Sequence, residues 1–429
     1  MAHAETISPT PILTTRPTVA IIGAGAAGLM VAHVLRHYDV TVHVYEQKPS
    51  PARKLLMAGK SGLNISHAEP LDTFLTRYDS DWLTPHLQAF HAPHIQEFMS
   101  QLGIDSFVGS TGRIFPTMMK ASPLLRAWLN ELQQSGVQFF YRYSCQTIVG
   151  NQATFGIEKS SREKNAEKAR ETPTFTQPFD AIILATGGMS WSRLGSDGKW
   201  QNWFNPDELT PLYPSNVGIC RPWSSHLTPD FGKALKRVKA AAYLPNGECK
   251  SGFGDIVLTH YGMESGLIYR LNAPLREQLK TFGKMSLILD LLPDISREKL
   301  LKILHNAKKQ SLTNLWRKAG LDPIKIALLR EIVAKPDWHN AEKMAIFIKQ
   351  LPIAFDSFRP IDEAISCGGG VKRSALTDNF QLKSNPAIFC CGEMLDWDAP
   401  TGGYLLTACF ATGHAVGVGV ADYLALAKK

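Results

Sequence analysis

The sequence predicts an α/β fold in which one discontinuous domain carries an inserted domain. A strand, a glycine motif, a helix and a second strand follow one another between Val19 and Glu46. One further buried strand ends in small residues at 179–188, and another ends at a glycine and an acid at 387–393. From about Pro211, short strand-like runs precede helical periodicity. The two ends of the chain are therefore predicted to form one Rossmann-like domain, and the middle a β-rich, barrel-like insert with a small helical subdomain.

The predicted boundaries follow these changes of pattern. Residues 17–205 and 355–429 are assigned to the discontinuous domain, 206–295 to the β-rich insert and 296–354 to the helical subdomain. Residues 1–16 are predicted to be a disordered tail before the first strand. They are not predicted to be a secretory signal, because they lack its basic and apolar segments.

The first βαβ unit carries the strongest functional signal. Its motif, G-x-G-x-x-G, consists of Gly23, Ala24, Gly25, Ala26, Ala27 and Gly28. The first glycine permits a tight turn, the second lets a pyrophosphate approach the backbone, and the third lets the helix pack on the strand. Glu46 ends the second strand, where it can accept hydrogen bonds from ribose hydroxyls. The unit predicts a dinucleotide site rather than a glycine-rich turn that binds nothing.

Composition sets the broad class of the protein. The chain has 429 residues, of which 44% are hydrophobic and 20% charged, as in globular proteins of two or three domains. Seven scattered cysteines without a C-x-x-C predict neither a disulfide framework nor a metal site. The net charge of +8 permits anionic partners but does not by itself predict nucleic-acid binding. Without a long apolar run, we expect no membrane span and a cytoplasmic location.

A long amphipathic helix is predicted over residues 82–103. Phe90, His94, Phe98 and Leu102 recur at helical spacing and would share one face.

Further along the chain, a second helix is predicted over 122–135, with Ser122 and Pro123 at its N-terminus. Strands near 146–157 and 173–179 would form a hairpin, and the charged residues 158–171 would form its mobile tip. In the insert, Asn246-Gly247 predicts a hairpin turn.

Motifs spread along the chain carry a family resemblance. In order they are Ile22–Gly28, Arg53-Lys54-Leu55-Leu56 with Gly59 and Asn64, Gly112-Arg113 with Phe115-Pro116, Ala185–Gly188, Leu258–Gly262, Gly369-Gly370-Val371, Gly392-Glu393 with Asp396, and Thr401–Tyr404. In order and spacing the chain resembles the BaiN-like flavoproteins, FAD-binding relatives of aminoacetone oxidase and of a bile-acid-modifying reductase. The resemblance covers nearly the whole chain after about residue 17 and implies FAD, which we expect to be held non-covalently.

The resemblance also implies a path for the cofactor. Glu46 would hold the adenosine ribose, residues 53–64 would follow the pyrophosphate and the flavin, and Gly392-Glu393 would lie near the ribityl phosphate. Residues 402–405 would offer backbone N–H groups to the isoalloxazine edge. The predicted cofactor-binding residues are Gly23, Gly25, Ala26, Ala27, Gly28, Glu46, Arg53, Lys54, Gly59, Lys60, Ser61, Gly62, Asn64, Ala185, Thr186, Gly187, Gly188, Gly392, Glu393, Asp396, Gly402, Gly403, Tyr404 and Leu405.

The chain departs from the usual pattern of this family at three places. Residues 58–64 read Ala-Gly-Lys-Ser-Gly-Leu-Asn, without the usual arginine and cysteine. Leu405 replaces an asparagine, and Trp191 stands where tyrosine is commoner. These differences indicate a distinct subfamily, so a borrowed substrate is less secure than the cofactor.

Three functions are compatible with these residues. The first is an FAD-dependent oxidoreductase, an oxidase or a reductase of amine or enone type, acting on a small molecule. No second G-x-G-x-x-G is present, so an NAD(P)H donor would bind transiently. The second is a flavin-bearing protein that binds nucleic acid or a protein through outward-facing basic residues of 296–350. The third is a plain NAD-dependent Rossmann enzyme.

Two side chains are candidates for catalysis. His260 could orient the substrate or move a proton, and the alternative is a structural histidine of the insert. Tyr404 lies beside the last glycine loop, where it could act or simply pack. We expect the substrate pocket between the insert and the flavin, with His260 and Tyr261 near its wall.

Overall fold

A computed structural model describes residues 16–59, 62–158, 173–306 and 311–429. The predicted tail and hairpin tip fall almost wholly outside these residues. The helices within them are Ala26–Leu35, Arg53–Ala58, Leu71–Leu75, Thr84–Ala89, Ala92–Gln101, Ala121–Gln134, Gly266–Arg270, Asn272–Phe282, Arg297–His305, Leu312–Lys318, Pro323–Ile332, Ala341–Lys349 and Tyr404–Tyr423. The strands are Thr18–Ile22, Thr41–Glu46, Ser66–His67, Ser106–Val108, Arg113–Pro116, Gln138–Tyr141, Tyr143–Val149, Gln152–Ile157, Thr174–Pro178, Ala181–Leu184, Leu209–Ser215, Ile219–Cys220, Ala234–Tyr243, Cys249–Thr259, Gly262–Glu264, Met285–Asp290, Leu351–Phe355, Ser357–Phe358, Ser366–Val371, Gln381–Leu382 and Asn385–Cys390.

A six-stranded sheet organises the discontinuous domain. Its order is Gln381–Leu382, Asn385–Cys390, Ala181–Leu184, Thr18–Ile22, Thr41–Glu46 and Gln138–Tyr141. All neighbours pair in parallel except the first two strands, which are antiparallel. The sheet joins strands from both ends of the chain, since Ile183 pairs with Ile21 on one side and with Phe389 on the other. The predicted α/β fold with a discontinuous Rossmann-like domain is therefore confirmed.

Two apolar helices meet beside this sheet. In Tyr404–Tyr423, Gly413 and Gly417 face the helix Ala26–Leu35, and a Cβ on Gly413 would lie 2.5 Å from the carbonyl oxygen of Ala27. The glycines therefore let the two backbones approach closely. Among the described residues, Tyr404–Tyr423 alone is long and apolar enough to span a membrane, but 67% of its most apolar window is buried inside the protein.

The insert is built on a seven-stranded antiparallel sheet. The order is Leu351–Phe355, Met285–Asp290, Ala234–Tyr243, Cys249–Thr259, Gly262–Glu264, Ile219–Cys220 and Ser357–Phe358. Its two edge strands are consecutive in the chain, with only Asp356 between them. The sheet therefore curls until its edges approach each other, which gives the predicted barrel-like form.

The helices over 297–349 share the hydrophobic core of this sheet and do not form a separate unit. In sequence they connect two neighbouring strands of the sheet, since Met285–Asp290 pairs with Leu351–Phe355. Strand Leu209–Ser215 pairs with Ser366–Val371, and Leu209 and Leu212 pack on the core of the first domain. The chain therefore crosses into the insert near residue 216 rather than 206.

Basic residues of these helices do not all face outward, as the sequence predicted. Lys325 is 5% exposed, and Lys349 forms an ion pair with Asp290 at 2.7 Å. The prediction is therefore wrong for these two lysines, because their long side chains cover apolar core and reach internal acceptors.

The helix predicted over 82–103 is interrupted at Phe90, which is extended (φ −146°, ψ 98°). His91 caps the second helix in a reciprocal arrangement with His94, and Pro93 stands in its first turn. Proline lacks the N–H that a continuous helix would use there, so the single helix was a wrong prediction.

Two smaller predictions shift in the same part of the chain. The next helix begins at Ala121, one residue before the expected cap. The predicted hairpin is a three-stranded sheet, because Tyr143–Val149 adds a strand beside Gln152–Ile157.

Candidate functional site

A cleft runs along the carboxyl ends of the parallel strands. Gly23, Glu46, Ala185 and Cys391 line it where four neighbouring strands end. Open α/β sheets bind ligands at this edge. The cleft holds about 1420 Å³ of empty space, including its open mouth.

The glycines of the first turn have two different roles, one in the fold and one in ligand binding. Gly23 has a φ of +105°, and a Cβ there would lie 2.4 Å from the carbonyl oxygen of Ala185, so this glycine is required by the fold. A Cβ on Gly28 would lie 2.0 Å from the carbonyl oxygen of Gly23. Gly25 differs: its φ is −82° and its Cβ would meet no atom within 4 Å. Its surroundings therefore leave room for a ligand against the backbone.

Two helices begin at the cleft without a side-chain cap. Gly25 precedes Ala26–Leu35 and Gly403 precedes Tyr404–Tyr423, and neither N-terminus has a side-chain hydrogen bond or an acidic residue in its first turn. The first N–H groups of a helix have no partner within it, and they carry the positive end of the helix dipole. Ala26, Ala27, Leu405 and Leu406 line the cleft, so both N-termini favour negative charge there.

Glu46 is held at one end of the cleft. Its carboxylate accepts hydrogen bonds from the backbone N–H groups of Ala24 (3.2 Å) and Lys48 (2.8 Å). Burial raises the pKa of Glu46, and the two hydrogen bonds oppose this effect. The carboxylate thus keeps a fixed orientation with lone pairs left for hydroxyl groups.

An ion pair forms part of the cleft lining. Lys54 donates to both carboxylate oxygens of Glu393, at 2.9 and 2.6 Å, and to the hydroxyl of Ser190 at 2.6 Å. Glu393 also accepts from the backbone N–H of Cys367 at 3.3 Å. This network joins both segments of the discontinuous domain, since Lys54 and Ser190 belong to the first and Cys367 and Glu393 to the second.

Two polar atoms at the cleft have no partner among the described residues. The hydroxyl of Ser196 and the indole N–H of Trp200 are buried and make no hydrogen bond, and both residues line the cleft. A buried polar group without a partner is costly, so these atoms indicate a ligand. Sequence reasoning missed both; the glycines at Gly195 and Gly198 were the available signal.

The structure brings together about half of the predicted cofactor residues. Those that line the cleft are Gly23, Gly25, Ala26, Ala27, Glu46, Arg53, Lys54, Ala185, Thr186, Gly187, Gly392, Glu393 and Leu405. Those that lie outside the lining are Gly28, Gly59, Gly62, Asn64, Gly188, Asp396, Gly402, Gly403 and Tyr404. Lys60 and Ser61 fall outside the described residues.

Residues behind the lining support it. A Cβ on Gly403 would lie 2.5 Å from the backbone of Ser66, and a Cβ on Gly59 would lie 2.6 Å from the Cβ of Ala121. With its amide nitrogen turned toward two carbonyls, Asn64 donates to Gly402 at 3.3 Å and to Ser66 at 3.1 Å. Asp396 accepts from Thr210 at 2.6 Å.

Neither candidate for catalysis lines the cleft. Tyr404 stacks on His67, and its hydroxyl donates to Glu69 at 2.6 Å. Burial and this hydrogen bond raise the pKa of Tyr404, so the phenol stays protonated. His260 is exposed on the turn between two strands of the insert, beside Tyr261. These positions favour the structural alternative for both residues.

Comparisons with known proteins identify the family of the chain. The family model described as the HI0933-like protein Rossmann domain matches residues 17–419. A 3-dehydro-bile acid delta(4,6)-reductase of Clostridium scindens is 22% identical over 94% of this chain and 99% of its own length. A ribosomal RNA dihydrouridine synthase of Haemophilus influenzae is 21% identical over 93% and 97% of the two chains.

A solved 3-ketosteroid-delta4-(5alpha)-dehydrogenase from Rhodococcus jostii is 14% identical, with a TM-score of 0.48, and the match covers 96% of this chain and 99% of that chain. At this level of similarity the comparison bears on neither substrate nor mechanism. The family match is decisive: the chain belongs to the HI0933-like family of BaiN-like FAD flavoproteins, and it is an FAD-dependent oxidoreductase. The resemblance stated from the sequence is thus confirmed.

Proposed function

We propose that the chain holds FAD non-covalently along this cleft and reduces a carbon–carbon double bond conjugated to a carbonyl group in a small molecule. One observation carries the cofactor assignment: two uncapped helix N-termini, at Ala26 and Tyr404, open on one cleft that has a buried carboxylate at its end. The first would serve the pyrophosphate and the second the flavin ring.

The remaining lining fits the same group. Glu46 would accept from the ribose hydroxyls at the adenosine end, and Ser196 and Trp200 offer two unpaired donors in the same lining. Lys54 and Glu393 would flank the ribityl chain, because both line the cleft and their ion pair offers charged and polar atoms to its hydroxyl groups. None of these contacts requires a covalent link.

The type of reaction is proposed from the relatives. One is named for reduction of the delta(4,6) bonds of a 3-dehydro-bile acid, and another for dihydrouridine synthesis in ribosomal RNA. Both names describe the addition of two hydrogens to a double bond conjugated with a carbonyl. This chemistry favours the enone reductase over the amine oxidase among the two types that the sequence left open.

The division of work follows from these contacts. Bound flavin supplies hydride transfer, and the protein supplies position and electrostatics. The N–H groups of Leu405 and Leu406 would stabilise negative charge at the flavin edge, since they begin a helix of 20 residues. Ile365, which is 40% exposed at the cleft, would offer an apolar contact to the substrate. Electrons would come from transiently bound NAD(P)H.

A spectrum and a redox screen test this proposal. The purified protein should be yellow, and acid precipitation should release FAD into the supernatant. Anaerobic protein reduced with dithionite should be reoxidised by 2-cyclohexen-1-one or a steroid 4-ene-3-one. Flavin that stays in the pellet would contradict non-covalent binding.

The alternatives give different outcomes in the same screen. Bleaching of the oxidised flavin by simple amines, without reoxidation by enones, would identify an amine oxidase. Reoxidation by a uridine-containing RNA alone, with salt-sensitive binding, would identify a nucleic-acid substrate. A colourless protein that binds NAD would identify a plain NAD-dependent enzyme.

A further inference from the structure

The insert joins the cofactor domain at a buried polar joint. Asn216, which is 2% exposed, donates to the hydroxyl of Ser366 (2.7 Å) and the carbonyl of Ala399 (2.8 Å), and accepts from the N–H of Thr401 (3.1 Å). The next residue, Val217, is bound at both its N–H and its carbonyl by Asn272 of the insert. Asn216 is thus bound to the cofactor domain, and Val217 is bound to the insert.

A second contact crosses the same boundary next to the joint. Arg276, on the insert helix Asn272–Phe282, lies 3.4 Å from the carboxylate of Asp398, and each side chain is 13% exposed. The guanidinium also lies 3.8 Å from the ring centre of Tyr213. Ser215 donates to the carboxylate of Asp398 at 2.7 Å. Among the ion pairs of the described residues, this one joins the insert to the cofactor domain.

Both contacts lead to the cleft. Asp398 opens the segment 398–403, whose last residue, Gly403, precedes the uncapped helix Tyr404–Tyr423. Asn216 also accepts at its backbone carbonyl from Ile365, a residue of the cleft lining, at 3.2 Å. The placement of the insert therefore bears on two parts of the site: the cleft lining at Ile365 and the segment that precedes helix Tyr404–Tyr423.

We propose that Arg276 is a positioning residue: by docking the insert on Asp398 it holds segment 398–403 and the N-terminus of helix Tyr404–Tyr423 against the cofactor. This inference rests on the proposed function for the identity of the cofactor. The docking itself is a property of the protein without ligand. The guanidinium is suited to the task because its planar face stacks on Tyr213 while its edge meets the carboxylate.

The contact is coupled to pH. Burial raises the pKa of Asp398 to about 6; Ser215, Arg276 and the N–H of Ala399 lower it, and Asp79 raises it further. Since the docked state holds the proton more tightly than an open, hydrated state would, docking is strongest at low pH and weakens as pH rises to about 6. Above that value the loss levels off, because Asp398 is then ionised in both states.

Hydrogen exchange of residues 398–403 in the protein without FAD tests the docking. After correction for intrinsic rates, wild-type protection should fall as pH rises and level off above about 6. Arg276→Met should raise exchange at least about tenfold near neutral pH, and its protection should keep falling above pH 6, because the carboxylate has lost its counter-charge. Arg276→Lys should recover part of the protection, and Asp398→Asn should remove the pH dependence.

Lys280→Met is the matched control, since Lys280 lies on the same helix and pairs with Glu277 inside the insert. It should exchange like the wild type at every pH. Exchange of 398–403 in Arg276→Met that equals the control would overturn the proposal. Should Arg276→Met not fold, the lysine and asparagine variants decide in the same way.

The dissociation constant of FAD then connects docking to the cofactor. Arg276→Met should weaken FAD binding about fivefold or more, and Arg276→Lys less, with Lys280→Met unchanged. Unchanged affinity together with raised exchange would overturn the positioning role. A protein that binds no FAD would defeat the proposed function, whereas the exchange result would still decide the docking.

Discussion

The two helix N-termini at the cleft are similar in chemistry but differ in how the chain builds them. At Ala26 the turn, the helix and the carboxylate of Glu46 come from one local unit, whose residues are adjacent in sequence and in the sheet. At Tyr404 the turn is fixed from outside: Gly403 lies against Ser66, Tyr404 donates to Glu69, and the preceding segment is held at Asn216. A site built from adjacent residues can be predicted from the sequence, whereas a site assembled from distant segments depends on tertiary contacts.

The largest effect is expected at the local N-terminus. Gly25→Val should fold, because the added carbon lies in open space at a normal φ, and strain at this residue is not expected. The side chain would fill the space for the pyrophosphate, so FAD affinity should fall at least about a hundredfold, or roughly 2.7 kcal/mol. Flavin fluorescence titration measures this. Gly266→Val, at another glycine with open surroundings, is the control. Equal FAD affinity in both variants would show that the cofactor does not bind at this turn.

At the tertiary N-terminus the same kind of change should act on stability as well. Gly403 has a φ of +100°, and a Cβ would lie 2.5 Å from Ser66, so Gly403→Ala should destabilise the protein by about 1–3 kcal/mol and weaken FAD binding. Urea unfolding gives the first number. Gly103→Ala, which has a φ of +71° but open surroundings, isolates the backbone cost. Equal destabilisation in the two variants would show that the contact with Ser66 does not matter.

Glu46→Gln should separate binding from stability. Losing the charge should weaken FAD binding about tenfold, or about 1.4 kcal/mol. The raised pKa of Glu46 means that its charge costs stability at neutral pH, a cost that grows as pH rises through that pKa. The variant without FAD should therefore melt no lower than the wild type at neutral pH. A clear drop in Tm would indicate that the carboxylate is a structural requirement.

The smallest effect is expected at His260. Because this residue is exposed and does not line the cleft, His260→Ala should leave FAD affinity, flavin reduction and Tm unchanged. Stopped-flow reduction and calorimetry measure these quantities. Loss of substrate-driven flavin chemistry with full FAD occupancy would instead restore His260 as a catalytic residue and require the insert to close on the flavin.

Sequence reasoning reached the elements whose signals are local. The glycine motif, the strand ending at Glu46 and the turn at Asn246-Gly247 each depend on a few adjacent residues, and the structure has them as predicted. The exposed basic face of 296–350 and the position of His260 depend on how distant segments pack, and there the predictions from pattern were weaker.

Ser196 and Trp200 illustrate the same limit at the site. Neither belongs to a periodic pattern, and their meaning appears only when burial leaves their polar atoms without a partner. Pro93 indicates the helix break near Phe90, but the prediction followed the continuous apolar stripe and gave a single helix.

Neighbouring strands of the central sheet are synthesised at different times. Strand Ala181–Leu184 is fully buried and apolar, yet its outer neighbour, Asn385–Cys390, emerges roughly 200 residues later in synthesis. At roughly 5–20 residues per second, that edge stays uncovered for about 10–40 s while the ribosome makes the insert. The insert closes its own sheet from one continuous stretch, so it can finish folding first. Chaperone binding to nascent chains should therefore peak on this open edge and end when the last strand arrives.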